Sequence, residues 1–157
     1  MKFPEIKTTS PSGSEVKLPL ASRGFVTLVV ITMMEQESGC VDTWREPFLN
    51  ALDPADTGPM GSDIAFYEVL MLSDVWAAVP KSVPMPPVRT DYANRLTFSG
   101  KTRDYAAILG MDDPALCYAF LLDADGYIRW TGYGCPTRAT IDELIVFAKS
   151  LKSLRAA

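Results

Sequence analysis

Three hydrophobic runs organise the chain. Phe25 to Met34 (FVTLVVITMM) and Ile64 to Leu72 (IAFYEVLML) are rich in β-branched and aromatic residues and do not alternate with polar ones. That pattern predicts strands covered on both faces. Tyr118 to Leu122 is a third such run, broken at Asp123-Ala124-Asp125-Gly126, where glycine supplies a positive φ and aspartate satisfies local amides. Beyond the break, Ile128, Trp130 and Gly132 alternate with Tyr127, Arg129, Thr131 and Tyr133, so the next strand has one dry and one wetter face. Two strands joined by a short turn make an antiparallel hairpin.

Helical spacing appears between and after these runs. Trp44, Phe48, Leu49 and Leu52 predict a helix capped by Asp42 or Thr43, with Pro47 giving a kink or a late start. Two parallel strands with a helix between them need a right-handed crossover, so this part forms a βαβ unit. Thr102 caps a short helix over Tyr105, Ala106, Ile108 and Leu109, ended by Gly110. Ile141, Leu144, Ile145, Ala148, Leu151 and Leu154 predict a closing amphipathic helix. Thr140-Ile141-Asp142-Glu143 forms its capping box, and Lys149, Lys152 and Arg155 lie where the dipole favours cations.

Residues 1–23 carry Pro4, Pro11, Pro19 and Gly13 and predict an extended lead-in with a small hairpin around Ser12-Gly13-Ser14. Residues 24–157 form a single domain with a Pro-rich insertion at about 74–101. There Trp76, Val79, Val83, Met85 and Val88 are interleaved with Pro80, Pro84, Pro86 and Pro87, which excludes an unbroken helix. A run of this length either orders on a partner or covers one end of the core. Trp76 and Met85 are its candidate partner contacts. Arg129 is placed for either a sheet-face ion pair or a docking contact, whereas Trp44 and Trp130 fall on apolar faces and belong to the core.

Composition narrows the function classes. With 157 residues, 48% of them hydrophobic, the chain suffices for one domain with a sizeable core. A net charge of −4 argues against nucleic acid, which needs clustered excess Lys and Arg. The longest apolar run has ten residues, half of a bilayer crossing. The start, Met-Lys-Phe-Pro-Glu-Ile-Lys, shows no import pattern. Histidine is absent, which removes Ser-His and Cys-His nucleophile pairs, histidine metal sites and imidazole acid–base work. Three cysteines, Cys40, Cys117 and Cys135, lie far apart without a CxxC, and the odd count points to a reducing compartment.

The βαβ unit, the short helix, the hairpin and the closing helix give the order β-α-β-α-β-β-α. This α/β pattern, with a central mixed sheet, resembles the thioredoxin-like fold. A closer resemblance lies in Tyr118-x-Phe120-Leu121-x-Asp123, Ile128-Arg129-Trp130 and Gly132-x-Gly134. The Phe3-Pro4 lead-in, Gly24 before the first strand, Trp44 with Pro47-Phe48, and Thr102-Arg103-Asp104-Tyr105 add to it. In order and spacing these are similar to the mitochondrial ATP synthase assembly-factor family, the "ATP-ten" proteins. The resemblance implies a mitochondrial protein on the matrix side of the inner membrane, peripheral to it. Its partners would be membrane-sector subunits of ATP synthase or another large mitochondrial complex, without cofactor and without enzyme activity.

The cysteines are weighed against that expectation. Redox members of the fold carry a thiolate just after the first strand, where Cys40 lies, but Glu35, Glu37 and Asp42 are its neighbours and carboxylates raise a thiol pKa. Counted from Pro47, the usual paired positions fall near Gly39 and Asp42, so a resolving cysteine is missing. The Pro and Thr that lead into a peroxiredoxin cysteine are also missing. The cis-proline that precedes the hairpin strand in redox members is replaced by Cys117. The expected function is therefore a non-catalytic interaction domain. The alternative is a single-cysteine thiol oxidoreductase or peroxidase that uses Cys40 with an external thiol. A Cys40–Cys117 bridge stays open, since the two loops are neighbours in the fold and bond formation demands narrow geometry. Cys135, before Pro136, reads as a small packing residue. Asp123 to Gly126 lacks the third acidic position and distal Glu of a calcium loop, so it reads as a plain turn. Copper delivery fits the fold but lacks the usual Cys pair and His.

Overall fold

The structure is a computed structural model that describes residues 1–10, 13–33, 39–52, 64–71, 95–98, 102–113 and 116–156. The strands are β1 (Ile6–Thr9), β2 (Glu15–Leu18), β3 (Val26–Thr32), β4 (Ile64–Met71), β5 (Arg95–Phe98), β6 (Cys117–Leu122) and β7 (Ile128–Tyr133). The helices among the described residues are α1 (Gly39–Leu52), α2 (Thr102–Leu109) and α3 (Arg138–Ala156). The strands form one mixed sheet in the order β2-β1-β5-β4-β3-β6-β7.

β3 holds the middle of this sheet because it can be buried on both faces. It runs parallel to β4 and antiparallel to β6, and every residue from Val26 to Thr32 is buried. Alternate side chains divide between two cores. Val29 and Ile31 join Phe120 and Leu122 under Phe3, Ile6 and α2. Leu28 and Val30 join Ala119 and Leu121 under Trp44 and Phe48 of α1 and Leu144 and Ala148 of α3. Each fully buried aliphatic or aromatic side chain contributes about 1.5–3 kcal/mol relative to exposure, so the two cores dominate stability.

The lead-in does more than lean on this body. β1 and β2 form the hairpin expected around Gly13, and β1 then pairs with β5 through Thr8 opposite Phe98. The Phe3 N–H donates to the Gly126 carbonyl at 2.9 Å, and the Ile128 N–H to the Met1 carbonyl at 2.8 Å. β5 itself falls inside the run expected to be without regular structure. Its four residues pair in parallel with β4 from Glu68 opposite Arg95 to Met71 opposite Phe98. Trp76 and Met85 lie outside the described residues.

Two helix starts differ from the sequence reading. α1 begins at Gly39, not after Asp42 or Thr43. Asp42 sits in the first turn, where a carboxylate suits the dipole, and pairs with Arg45 at 3.2 Å. Pro47 lies inside the helix. α3 begins two residues before the proposed capping box, because Thr137 is the cap: its hydroxyl accepts the Thr140 N–H at 3.2 Å, and its carbonyl takes the Ile141 N–H at 3.0 Å. Among the described residues, no helix is long and apolar enough to cross a membrane.

Candidate active site

Three chain segments meet at one end of the central strands. β3 ends at Thr32, which faces Cys117 at the start of β6. β6 pairs with β7 through Tyr118 opposite Tyr133, and the Gly134 N–H continues the ladder to the Cys117 carbonyl at 2.8 Å. Gly134 then takes φ +72°, a conformation that a side chain disfavours, and turns the chain back. That reversal delivers Cys135 to the first turn of α1, where Cys40 waits.

The three cysteines form one cluster. Cys40 and Cys135 are joined by a disulfide with their Cα atoms 5.1 Å apart. Cys117 keeps its thiol, with Sγ 3.2 Å from the Cys40 Sγ. Exposure is graded across them: Cys117 is 1% exposed, Cys40 half-buried and Cys135 exposed. Cys40 is thus the middle sulfur, bonded outward and touching inward.

The pairing corrects two expectations. The bridge joins Cys40 to Cys135, not to Cys117, and Cys135 is an exposed member of the cluster and not a packing residue. The hairpin held the missed signal, since pairing 118 with 133 sets 117 against 134 and puts Cys135 one residue further on. No CxxC is needed when a strand end supplies the second sulfur.

The walls of the cluster are aromatic. The Trp44 indole N–H donates to the Gly134 carbonyl at 2.9 Å, and the Cys117 thiol donates to the same oxygen at 3.2 Å. Trp44 meets Trp130 edge to face with ring centroids 5.9 Å apart, and the Trp130 N–H reaches Glu143 at 3.3 Å. Gly132 lies where a Cβ would stand 2.7 Å from the Trp130 ring and 3.0 Å from Trp44. Both tryptophans therefore fall on apolar faces, as the alternation implied, but they also fix the backbone that carries two of the cysteines.

Electrostatics separate the sulfurs. Burial pushes the Cys117 thiol above its ordinary value, against a smaller downward pull from the Trp44 N–H. Cys40 lies in the first turn of α1, where a helix has unpaired amides and the positive end of its dipole. Asp42, a neighbour that argued against a thiolate there, is engaged with Arg45. Two of the three sulfurs are committed to each other, and no cluster of metal-ligand side chains occurs among the described residues.

Arg129 lies at the turn end of the hairpin, away from the cysteines. It pairs with Asp123 at 2.7 Å and covers the Tyr127 ring at 5.7 Å. Asp123 also accepts the backbone N–H groups of Asp125 and Tyr127, each at 3.0 Å, which closes the turn.

No family model and no curated protein matches the chain. Solved structures do. BsSco, a member of the Sco family of cytochrome c oxidase assembly proteins described for a disulfide switch, superposes with TM-score 0.59 at 16% identity, over 98% of this chain and 94% of that one. The thioredoxin domain of a thiol-disulfide oxidoreductase from Bacteroides vulgatus gives 0.58 at 14%, over 94% and 96%. The chain has the thioredoxin-like fold. A third structure, the reduced 2-Cys peroxiredoxin of Plasmodium vivax, gives 0.56 at 16%, over 99% and 97%.

The expectation of a non-enzymatic domain attached to ATP synthase is overturned here. It rested in part on the lack of a resolving cysteine, and Cys40 is bonded to Cys135 with Cys117 in contact. The neighbours in this fold are named for disulfide and peroxide chemistry, and none of the three for ATP synthase.

Proposed function

We propose that the protein is a thiol–disulfide oxidoreductase whose redox pair is Cys40 and Cys135. The supporting observation is the bridge itself, which joins the first turn of α1 to an exposed cysteine at the rim of the sheet. An external thiolate reaches the Cys135 Sγ from solvent. A bond forms to that sulfur, the Cys40–Cys135 bond breaks, and Cys40 departs as a thiolate held by the α1 amides. A leaving thiol of low pKa leaves fastest, so attack at Cys135 is preferred over attack at the half-buried Cys40.

A second external thiolate then attacks the foreign sulfur of the mixed disulfide and releases Cys135. Two thiols become one disulfide, and the protein gains two electrons and two protons. The reverse sequence, from the Cys40–Cys135 dithiol, reduces a disulfide substrate. Both directions need only sulfur chemistry, in keeping with a chain that contains no histidine.

The test is twofold. Protein equilibrated with graded mixtures of reduced and oxidised glutathione should show the bridge opening as one two-electron couple. Catalytic amounts should also accelerate reduction of insulin by dithiothreitol. Cys40→Ser should remove both properties. An unaltered insulin rate in the presence of the protein, or full activity in Cys40→Ser, would refute the assignment.

A further inference from the structure

The chemistry above does not use Cys117. It is a nucleophile buried at the start of β6 and held by pairing on both sides, to β3 through Thr32 and to the end of β7 through Gly134. Its sulfur nevertheless touches the bridge, 3.2 Å from the Cys40 Sγ.

We propose that Cys117 is an internal exchange partner: its thiolate attacks the Cys40 Sγ, so that the bridge moves from Cys40–Cys135 to Cys40–Cys117 and Cys135 is set free as an exposed thiol. The proposal rests on the redox assignment of Cys40 given above. The Cys117–Cys40 bond forms, and the Cys40–Cys135 bond breaks with its electron pair on Cys135. The proton lost by Cys117 is matched by the one that Cys135 gains from water. No oxidant or reductant is consumed, because the chain contains one disulfide and one thiol before and after.

The positions of the three sulfurs suit this transfer. Cys117 is fixed by the sheet, Cys40 lies in the first turn of α1, and Cys135 lies on an exposed turn just beyond Gly134. The two inner sulfurs, 3.2 Å apart, draw together to a bonding distance of about 2.05 Å, while the outermost is released on the solvent side. The product is an oxidised protein that still presents a nucleophile at its surface. Such a species attacks a disulfide in a second polypeptide and rearranges it, which a protein with its bridge at the rim does not do.

Alkylation of the fully oxidised, folded protein with N-ethylmaleimide tests this without any substrate. After acid quench and peptic digestion without reduction, the label should sit on Cys135 and the bridge should join the Cys40 and Cys117 peptides. Label on Cys117, or no label with the Cys40–Cys135 bridge intact, would overturn the proposal. Two variants guard against misfolding as the explanation. Oxidised Cys135→Ser should contain a Cys40–Cys117 bridge and no free thiol, whereas two free thiols there would count against the exchange. Cys117→Ala should keep Cys135 unlabelled, and labelling of Cys135 in that variant would show that its release does not need Cys117. Failure of the insulin assay with migration of the bridge intact would sink the oxidoreductase assignment alone.

Discussion

The Trp44 indole and the Cys117 thiol donate to one acceptor, the Gly134 carbonyl, at 2.9 and 3.2 Å. That oxygen ties α1 to the strand end that carries Cys135. Trp44→Phe keeps the ring in the core but removes the indole donor, so stability should fall by about 1 kcal/mol from the lost hydrogen bond. The same change should raise the Cys117 pKa further, because the indole N–H pulls it down. In a Cys40→Ser, Cys135→Ser background, the pH profile of iodoacetamide alkylation reads Cys117 alone. Adding Trp44→Phe should shift that profile upward, and a downward shift would contradict the role given to the indole.

Cys117 also makes the reduced protein sensitive to alkali. Its folded pKa lies above its ordinary value of 9.0, chiefly through burial. The buried neutral thiol therefore supports the fold fully below that value and loses its contribution as pH rises through the folded pKa. Urea midpoints of the reduced protein should fall on the alkaline side more steeply than those of Cys117→Ala, and parallel curves would refute this.

The Cys40–Cys135 bridge closes a loop across a separation of 95 residues. Cross-links of that span commonly stabilise by about 2–4 kcal/mol, mainly by restricting the unfolded chain. Denaturant melts with and without tris(carboxyethyl)phosphine should differ by that amount. Cys40→Ser should respond to the reductant little or not at all.

Gly132 sits between two tryptophans with no room for a methyl group. Gly132→Ala should destabilise the protein by about 1–3 kcal/mol through overpacking. Tryptophan emission should change with it, since Trp44 is fully buried and its ring must shift or the strand must. Wild-type stability in this variant would mean that the rings pack differently.

Asp123 holds the hairpin turn. Burial would raise its carboxyl, but the Tyr127 N–H, the Arg129 guanidinium and the Asp125 N–H together bring it below the ordinary value of 3.8. A depressed pKa gives stability that is present above the ordinary carboxylate range and lost as pH falls through the folded value. Asp123→Asn should be less stable near neutrality and lose less on acidification. A pH slope equal to that of the wild type would show that Asp123 does not carry it.

The sequence showed β3, β4 and the β6–β7 hairpin well, because a strand buried on both faces must be continuously apolar and few other structures need that pattern. α1 and α3 were visible from their apolar spacing, although their starts were misjudged. At α3 two threonines, 137 and 140, stand three apart, and only the backbone shows which one receives an amide. β5 was hidden because Arg-Leu-Thr-Phe is too short to set a period and follows a proline-rich run. The cysteine cluster was half legible. Register along the hairpin places Cys117 beside Gly134 and hence near Cys135, but nothing in the linear spacing of Cys40 announces that α1 starts early enough to meet them.

The N-terminal strands impose an order of events on biosynthesis. Ile6 to Thr9 can pair with β2 early, but Thr8 and Thr9 cannot meet β5 until Phe98 has left the ribosome, and Met1 and Phe3 must wait for the turn at Gly126. These segments are therefore made well before they can dock on the sheet, and contacts of such long sequence separation slow folding. A nascent chain halted short of the hairpin should leave its leading end open to proteases, while a released chain should protect it.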